Sequence, residues 1–239
     1  MGGAVLKVDL HLHSREDPID NIPYDARALI DRAARLGFDA IAITLHDGLL
    51  RDGSAAAYAR ERGIVLIPGI ERSIDRRHVL LINFPDQVQD VRSFDDAARL
   101  KARTGGLVIA PHPFFPDGTC LRSALDVHAD LFDAVEWSYF WTRGLNFNTR
   151  AARWARQRGK PIVGNSDLHD LRQLGRTYSL VESDRHPDAI CAAIREGRVT
   201  VETEPVPALE LTQVLTGMLL RGRKRRNESL IANPLSSNP

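Results

Sequence analysis

With 239 residues, 43% of them hydrophobic, and a net charge of +1, the chain can bury a substantial core in one domain, and residues 1–216, slightly acidic, carry no general nucleic-acid footprint. Its only cysteines, Cys120 and Cys191, argue against a disulfide framework. No run approaches the roughly 18 apolar residues of a membrane span and MGGAVLKVDLH is not a leader, so a soluble cytoplasmic protein with no membrane partner is expected.

In chain order, AVLKVDL (4–10) is strand-like, and YDARALIDRAARLG (24–37) is an amphipathic helix stopped by Gly37. DAIAITL (39–45) is a second strand, AAAYARERG (55–63) a helix and IVLIPGIE (64–71) a third strand. HVLLINF (78–84) is strand-like, and SFDDAARLKARTGG (93–106) is a helix whose Ser93 and Asp96 have capping-box spacing. GLVIAPH (106–112) is a buried strand, LRSALDVHADL (121–131) helical and DAVEWS (133–138) a strand. NTRAARWARQRG (148–159), KPIVGNSD (160–167), PDAICAAIREG (187–197) and VTVETE (199–204) continue as helix, strand, helix and strand. Such alternation predicts an α/β fold with a mainly parallel sheet, and seven or so units suit a closed or nearly closed barrel, whose chemistry sits at the carboxyl ends of the strands. No GxGxxG follows the first strand, which disfavours a dinucleotide-binding fold.

Residues 1–208 form this barrel unit, and residues 209–239 are a C-terminal extension. Within 217–239, Arg221, Arg223, Lys224, Arg225 and Arg226 face Glu228 alone, a net of +4 that leaves −3 on residues 1–216. Its Ser, Asn and Pro content reads as a solvated, disordered tail.

The histidines gather where a barrel would want them. His11 and His13, one residue apart in DLHLH (9–13), share a face of an extended segment. His46 ends the second strand, His112 ends LVIAP, and Asp167 and His169 follow IVGNS; Glu71 closes IVLIPGIE, and Glu136 lies near the end of DAVEW. His78 begins its own segment, so either that strand runs against its neighbours or it is not a strand. Imidazoles and carboxylates converging at one barrel mouth are ligands for zinc, manganese or iron.

The motifs DLHLHS (9–14), ITLHDG (43–48), PGIE (68–71), HVLLI (78–82), APHP (110–113) and GNSDLH (164–169), in that order, resemble the polymerase and histidinol phosphatase (PHP) domain, a family of metal-dependent phosphoesterases. The resemblance covers roughly residues 5–204. It implies a distorted TIM-like barrel of seven β/α units holding two or three divalent ions. By the same resemblance, His11, His13, Glu71 and Asp167 would share a first metal, and Glu71 would bridge to a second held by His78 and His112. His46 and His169 would hold a third with an acidic residue from REDPID (15–20), Asp17 ahead of Asp20. Leu45 stands where the family usually has Asp, and the neighbouring Asp47 is a candidate outer ligand-orienting group.

Two or three ions suit hydrolysis of a phosphomonoester of a nucleotide or small molecule, with bound hydroxide as nucleophile and no protein nucleophile. NSD at 165–167 lacks the spacing of a serine-hydrolase elbow, and Cys120 has no evident activation. Arg143, Asn146 and Arg172 are candidate substrate contacts. WSYFW (137–141) is a candidate stacking wall or an apolar corner. The alternatives are a phosphodiesterase or nuclease on short oligonucleotides, a metal-dependent amidohydrolase and a non-catalytic metal-binding module. The oligomeric state is left open.

Overall fold

The computed structural model describes residues 3–231, with side chains described to residue 222; residues 232–239, the end of the expected tail, lie outside the described residues. The elements are β1 (Ala4–Leu12), α1 (Ala26–Arg35), β2 (Ala40–His46), α2 (Ala55–Glu61), β3 (Val65–Ile74), β4 (Arg77–Ile82), α3 (Phe94–Thr104), β5 (Leu107–Ala110) and α4 (Ala124–Val127). Then come β6 (Ala134–Ser138), α5 (Asn148–Gln157), β7 (Ile162–Asn165), β8 (Thr177–Ser183), α6 (Pro187–Arg195), β9 (Val199–Thr203) and α7 (Ala208–Ile231).

One sheet runs β7-β6-β5-β4-β3-β2-β1-β8-β9. It forms the near-closed barrel with outer helices that the sequence predicts, a distorted TIM-like α/β barrel. The β1–β2–β3 and β5–β6–β7 ladders are parallel, whereas β4 is antiparallel to both neighbours and β8 is antiparallel to β1 and β9. The placement of His78 at the start of its strand follows: an antiparallel strand brings its first residues to the end where its parallel neighbours finish. The barrel closes between β7 and β8 through the Ser179 hydroxyl, which accepts from Gly164 N at 2.9 Å and donates to Gly164 O at 3.1 Å. A Cβ on Gly164 would sit 2.5 Å from Tyr178 O, so only glycine permits this approach.

Strand alternation separates the inside of the barrel from the outside. Val8, Leu10, Ala42, Ile67, Leu80, Ile82, Ile109, Ala134 and Val163 face one interior cluster, closed from below by Ile190, Cys191, Ala193 and Ile194 of α6. Alternate residues such as Ile41, Ile43 and Val135 pack outward beneath the helices. In β1 the register against β2 slips by one residue between Asp9 and Leu12, a bulge that changes the phase of the strand. Leu10 therefore belongs to the interior and Leu12 to the outer layer, and the residues flanking Leu12, His11 and His13, face inward.

Local signals act where expected. Asp25 caps α1 by accepting from Ala28 N, and Ser93 and Asp96 form the capping box of α3, which ends on Gly105 at φ 73°. Three expectations differ. The helix over 121–131 is only one turn, Ala124–Val127. β8 lacks an apolar alternation because its buried positions are mostly Thr177, Ser179 and Ser183. Residues 208–231 are helical, not a disordered tail. What the composition hid is that Val214, with Leu211, Leu215 and Met218, packs on Tyr139, Phe140 and Val206. WSYFW is in this respect an apolar corner. Among the described residues no helix is long and apolar enough to cross a membrane.

Candidate metal centre

The interior changes character one layer up. Two residues beyond Ala42, Ile67 and Ala134 on the same strand faces come Thr44, Gly69 and Glu136, and the next step brings His46 and Glu71; on antiparallel β4, stepping back from Ile82 through Leu80 reaches His78. The apolar floor thus becomes a polar mouth by simple continuation of the strands.

Glu71 is the centre of that mouth, 1% exposed, with its two carboxylate oxygens addressing different imidazoles. Oε2 lies 3.2 Å from His11 Nε2, 3.3 Å from His13 Nε2 and 3.1 Å from His46 Nε2. Oε1 lies 2.7 Å from His78 Nδ1 and 3.3 Å from His112 Nε2. Asp167 Oδ1 joins the first group, 3.4 Å from His11 Nε2 and 3.6 Å from His13 Nε2, while its Oδ2 stands 4.0 Å from His112 Nε2. His11, His13, Glu71 and Asp167 therefore converge as one set, and Glu71, His78 and His112 as the adjoining one.

The third expected set is looser. His169 Nε2 contacts Asp20 Oδ2 at 2.8 Å, and His46 Nδ1 is 3.9 Å from the same oxygen. Asp17, placed ahead of Asp20 in the sequence reading, instead sits beneath the rings. Its Oδ2 is 3.1 Å from His13 Nδ1 and 3.0 Å from His46 Nδ1 and accepts His46 N–H, while its Oδ1 accepts the N–H groups of Ile19 and Asp20. Asp20 is the carboxylate that faces the His169 ring. Leu45 is buried in the outer cluster with Leu12 and Ile43, because inward Thr44 and His46 flank it. Leu45 therefore points away from the cluster.

Do these residues fit metal ions? His11 Nε2, His13 Nε2, Glu71 Oε2 and His78 Nδ1 are buried and lack an aligned hydrogen bond, facing one another only as close imidazole–carboxylate contacts. Unsatisfied buried polar atoms are costly, and here they converge with matched chemistry. Among the described residues, five overlapping trios have ligand atoms within 4.8 Å of one another: His11–His112–Glu136, His11–His13–Glu71, His13–Asp17–His46, His13–Asp167–His169 and His46–Glu71–His78. The donor set fits a centre of two or three ions.

Electrostatics agree. Burial disfavours charge on His11, but the carboxylates of Glu71, Asp167 and Glu136 outweigh it and raise its pKa to about 10. His46 is likewise raised to about 9, burial being overcome by Glu71 and Asp17. Conversely, burial pushes Glu71 upward, but His78, His11 and His46 hold it well below the ordinary carboxylate range. Without ions, protons on the imidazoles balance the carboxylates, and metal binding must displace them.

Behind the ligand atoms lies an orienting layer that sequence reasoning only partly found. Glu136, fully buried, has Oε1 2.9 Å from His11 Nδ1 and 3.0 Å from Asn165 Nδ2, and its Oε2 accepts His112 N–H at 2.7 Å. Such a carboxylate behind an imidazole fixes its tautomer and turns the other nitrogen toward the ligand side. Its place at a strand end beside the histidines was the available signal. Cys120 Sγ lies 3.4 Å from His112 Nδ1 and no motif announced it. Asp9 accepts from His11 N and Ser166 N and ties the β1 bulge to the β7 exit. His112 and Asp167 adopt φ of 27° and 47°, conformations that cost non-glycine residues about 1–3 kcal/mol and are kept where surroundings overdetermine them.

The remaining expected site residues lie elsewhere. Asp47 accepts Ser73 N–H at 2.8 Å and pairs with Arg72 at 3.1 Å, joining β2 to β3. Arg143 is exposed. Asn146 Oδ1 accepts Asn148 N–H at the start of α5. Arg172 is held in a two-pronged pair by Asp170, with Nη1 3.3 Å from Gln213 Oε1 on α7. No described contact joins these four residues to the imidazoles.

The fold is a distorted TIM-like barrel of the kind implied by the resemblance that the six motifs carry. Residues 146–199, from the entry of α5 to the first residue of β9, match the family model described as PHP-associated. The chain is similar in structure to a two-domain protein from Bacteroides vulgatus described as containing a predicted PHP-like metal-dependent phosphoesterase, with TM-score 0.65, 22% identity and coverage of 90% of this chain and 70% of that one. It is also similar to PsfC from Pseudomonas syringae, with TM-score 0.61, 17% identity and coverage of 92% and 98%. An amidohydrolase from Chromobacterium violaceum with bound sulfate has TM-score 0.57, 19% identity and coverage of 81% and 97%. No curated protein matches the chain.

Proposed function

We propose that the chain is a metal-dependent phosphoesterase that hydrolyses a phosphomonoester of a nucleotide or another small molecule. The observation that carries this reading is Glu71, whose two oxygens serve two neighbouring imidazole groups, as a carboxylate shared between adjacent ions would. His11, His13, Glu71 and Asp167 would hold one ion; Glu71, His78 and His112 a second; and His46 and His169, with Asp20, a third. Bound there, divalent ions supply charge neutralisation for phosphate oxygens and an activated water.

The chain's own residues do the positioning. Glu136 holds His11 Nδ1, so that Nε2 faces Glu71 and Asp167. Asp17 does the same beneath His13 and His46 through their Nδ1 atoms, leaving both Nε2 atoms toward Glu71. Cys120 backs His112 from its Nδ1 side. The apolar floor under this layer keeps water on one side of the cluster only.

The reading is tested by metal-replete purification followed by rates on nucleoside monophosphates, sugar phosphates, short single-stranded oligonucleotides and a simple amide. Faster phosphate release from a monoester than from any other substrate supports it. Cleavage of the amide alone would make the chain an amidohydrolase, as the Chromobacterium violaceum relative is named, and cleavage of the oligonucleotides alone would make it a nuclease.

A further inference from the structure

Helix α7 does more than extend the chain. Its inner face is seated on the β6 exit by Val214, and Glu210 accepts from Tyr139 OH at 3.0 Å and pairs with Arg176 at 3.0 Å. Two turns beyond Val214, Arg221 Nη2 donates to the main-chain oxygen of His169 at 3.0 Å. His169 is itself part of the imidazole–carboxylate cluster, so α7 brings a guanidinium to the rim of the centre.

Two details suit that cation to a task other than docking. Four residues earlier stands Gly217, where a Cβ would lie 3.2 Å from Arg221 Nη1; the glycine leaves room for the guanidinium to fold back along the helix. Interior glycine costs a helix about 1 kcal/mol relative to alanine, and a Cβ here would push the Arg221 guanidinium aside by a few tenths of an ångström. Second, the two arginines between α7 and the loop after β7 differ. Arg172 is neutralised by Asp170 through two contacts, whereas Arg221 forms no ion pair among the described residues. A guanidinium has five N–H donors in a planar fork matched to phosphate, and one carbonyl contact leaves most of them open, with Asp170 near enough to feel the Arg221 charge without pairing with it.

We infer that Arg221 anchors the phosphate group of the substrate at the edge of the metal centre, making α7 a wall of the active site. This rests on the phosphoesterase reading for its ligand class and adds the residue that recognises it. The charge would complement phosphate oxygens not engaged by the ions, a role the sequence reading assigned to Arg143, Asn146 and Arg172.

The test titrates inorganic phosphate into the metal-loaded full chain by calorimetry, comparing wild type with Arg221→Ala, Arg221→Lys and Val214→Ala. Arg221→Ala is expected to weaken phosphate at least about 10-fold, the loss typical of a charged hydrogen-bonded partner, with the metal equivalents unchanged. Arg221→Lys should recover part of it through charge alone. Val214→Ala loosens the helix seat and should lower thermal stability, with a loss of phosphate affinity no larger than that of Arg221→Ala. Equal phosphate affinity in wild type and Arg221→Ala, or no phosphate binding by wild type, would overturn the inference. Arg221-dependent phosphate binding by a chain that hydrolyses no phosphoester would support the anchor and remove the phosphoesterase reading.

Discussion

The floor and the mouth of the barrel are built from the same strands and obey opposite rules. Below, Leu80, Ile82, Ile109 and Val163 meet α6 in a cluster where each fully buried aliphatic side chain adds about 1.5–3 kcal/mol. One layer above, the same inward positions carry buried imidazoles and carboxylates, orphaned polar atoms and two left-handed non-glycine residues. The contrast teaches that the floor is held by apolar burial, whereas the mouth depends on charge balance, which protons supply in the metal-free chain and ions would supply in their place.

That comparison breaks most sharply at Glu71. Glu71→Ala removes the carboxylate common to both ion sets, and hydrolysis should fall by at least about 1,000-fold, with metal content dropping to one equivalent or less in elemental analysis. Leu80→Ala tests the other side: chemical denaturation should show a loss of about 2–5 kcal/mol, while metal content per folded chain stays at the wild-type value. Metal loss in Leu80→Ala, or full metal content in Glu71→Ala, would show that the two layers are not separable. Glu136→Gln keeps the shape but weakens the hold on His11, and should lower metal affinity or activity by about 10–100-fold.

Acidity should distinguish the two layers as well. In the metal-free chain His11 and His46 have pKa values raised to about 10 and about 9, above the ordinary value of 6.5. Groups raised on folding stabilise fully below their unfolded value, and that contribution is lost as pH rises through the folded one. The melting temperature of the metal-free chain should therefore decline between pH 7 and 10. Ions compete with those protons, so metal affinity should rise over the same interval. The smallest effect is expected at Asp47→Asn. Asn tolerates the φ of 53° there, and Asp47 binds Ser73 N–H and Arg72 rather than an imidazole. Metal content and rates should stay within about twofold, with stability changed by about 1 kcal/mol or less.

Much of the mouth was legible because metal ligands are side chains of rare types at strand ends. His11, His13, His46, Glu71, His78, His112, Asp167 and His169 all meet in one cluster, and the odd placement of His78 foretold an antiparallel strand. Less legible was whatever depends on packing between distant segments. Strand β8 hides its inward face in Thr and Ser, so no alternation marks it. Cys120 approaches His112 only through the loop after β5. The seat of α7 was not legible because the partners of Leu211, Val214, Leu215 and Met218, Tyr139 and Phe140, lie more than 60 residues away. Asp17 and Asp20, three residues apart, could not be separated by sequence, because only the chain path shows that Asp17 meets the His13 and His46 rings and Asp20 the His169 ring.

The central claim is that Glu71 joins two imidazole groups into one multinuclear centre. Native mass spectrometry of the folded chain titrated with manganese or zinc tests it most directly. Two or more ions per chain, falling to one or none in Glu71→Ala, is the predicted result; a wild-type chain that saturates at a single ion would contradict it.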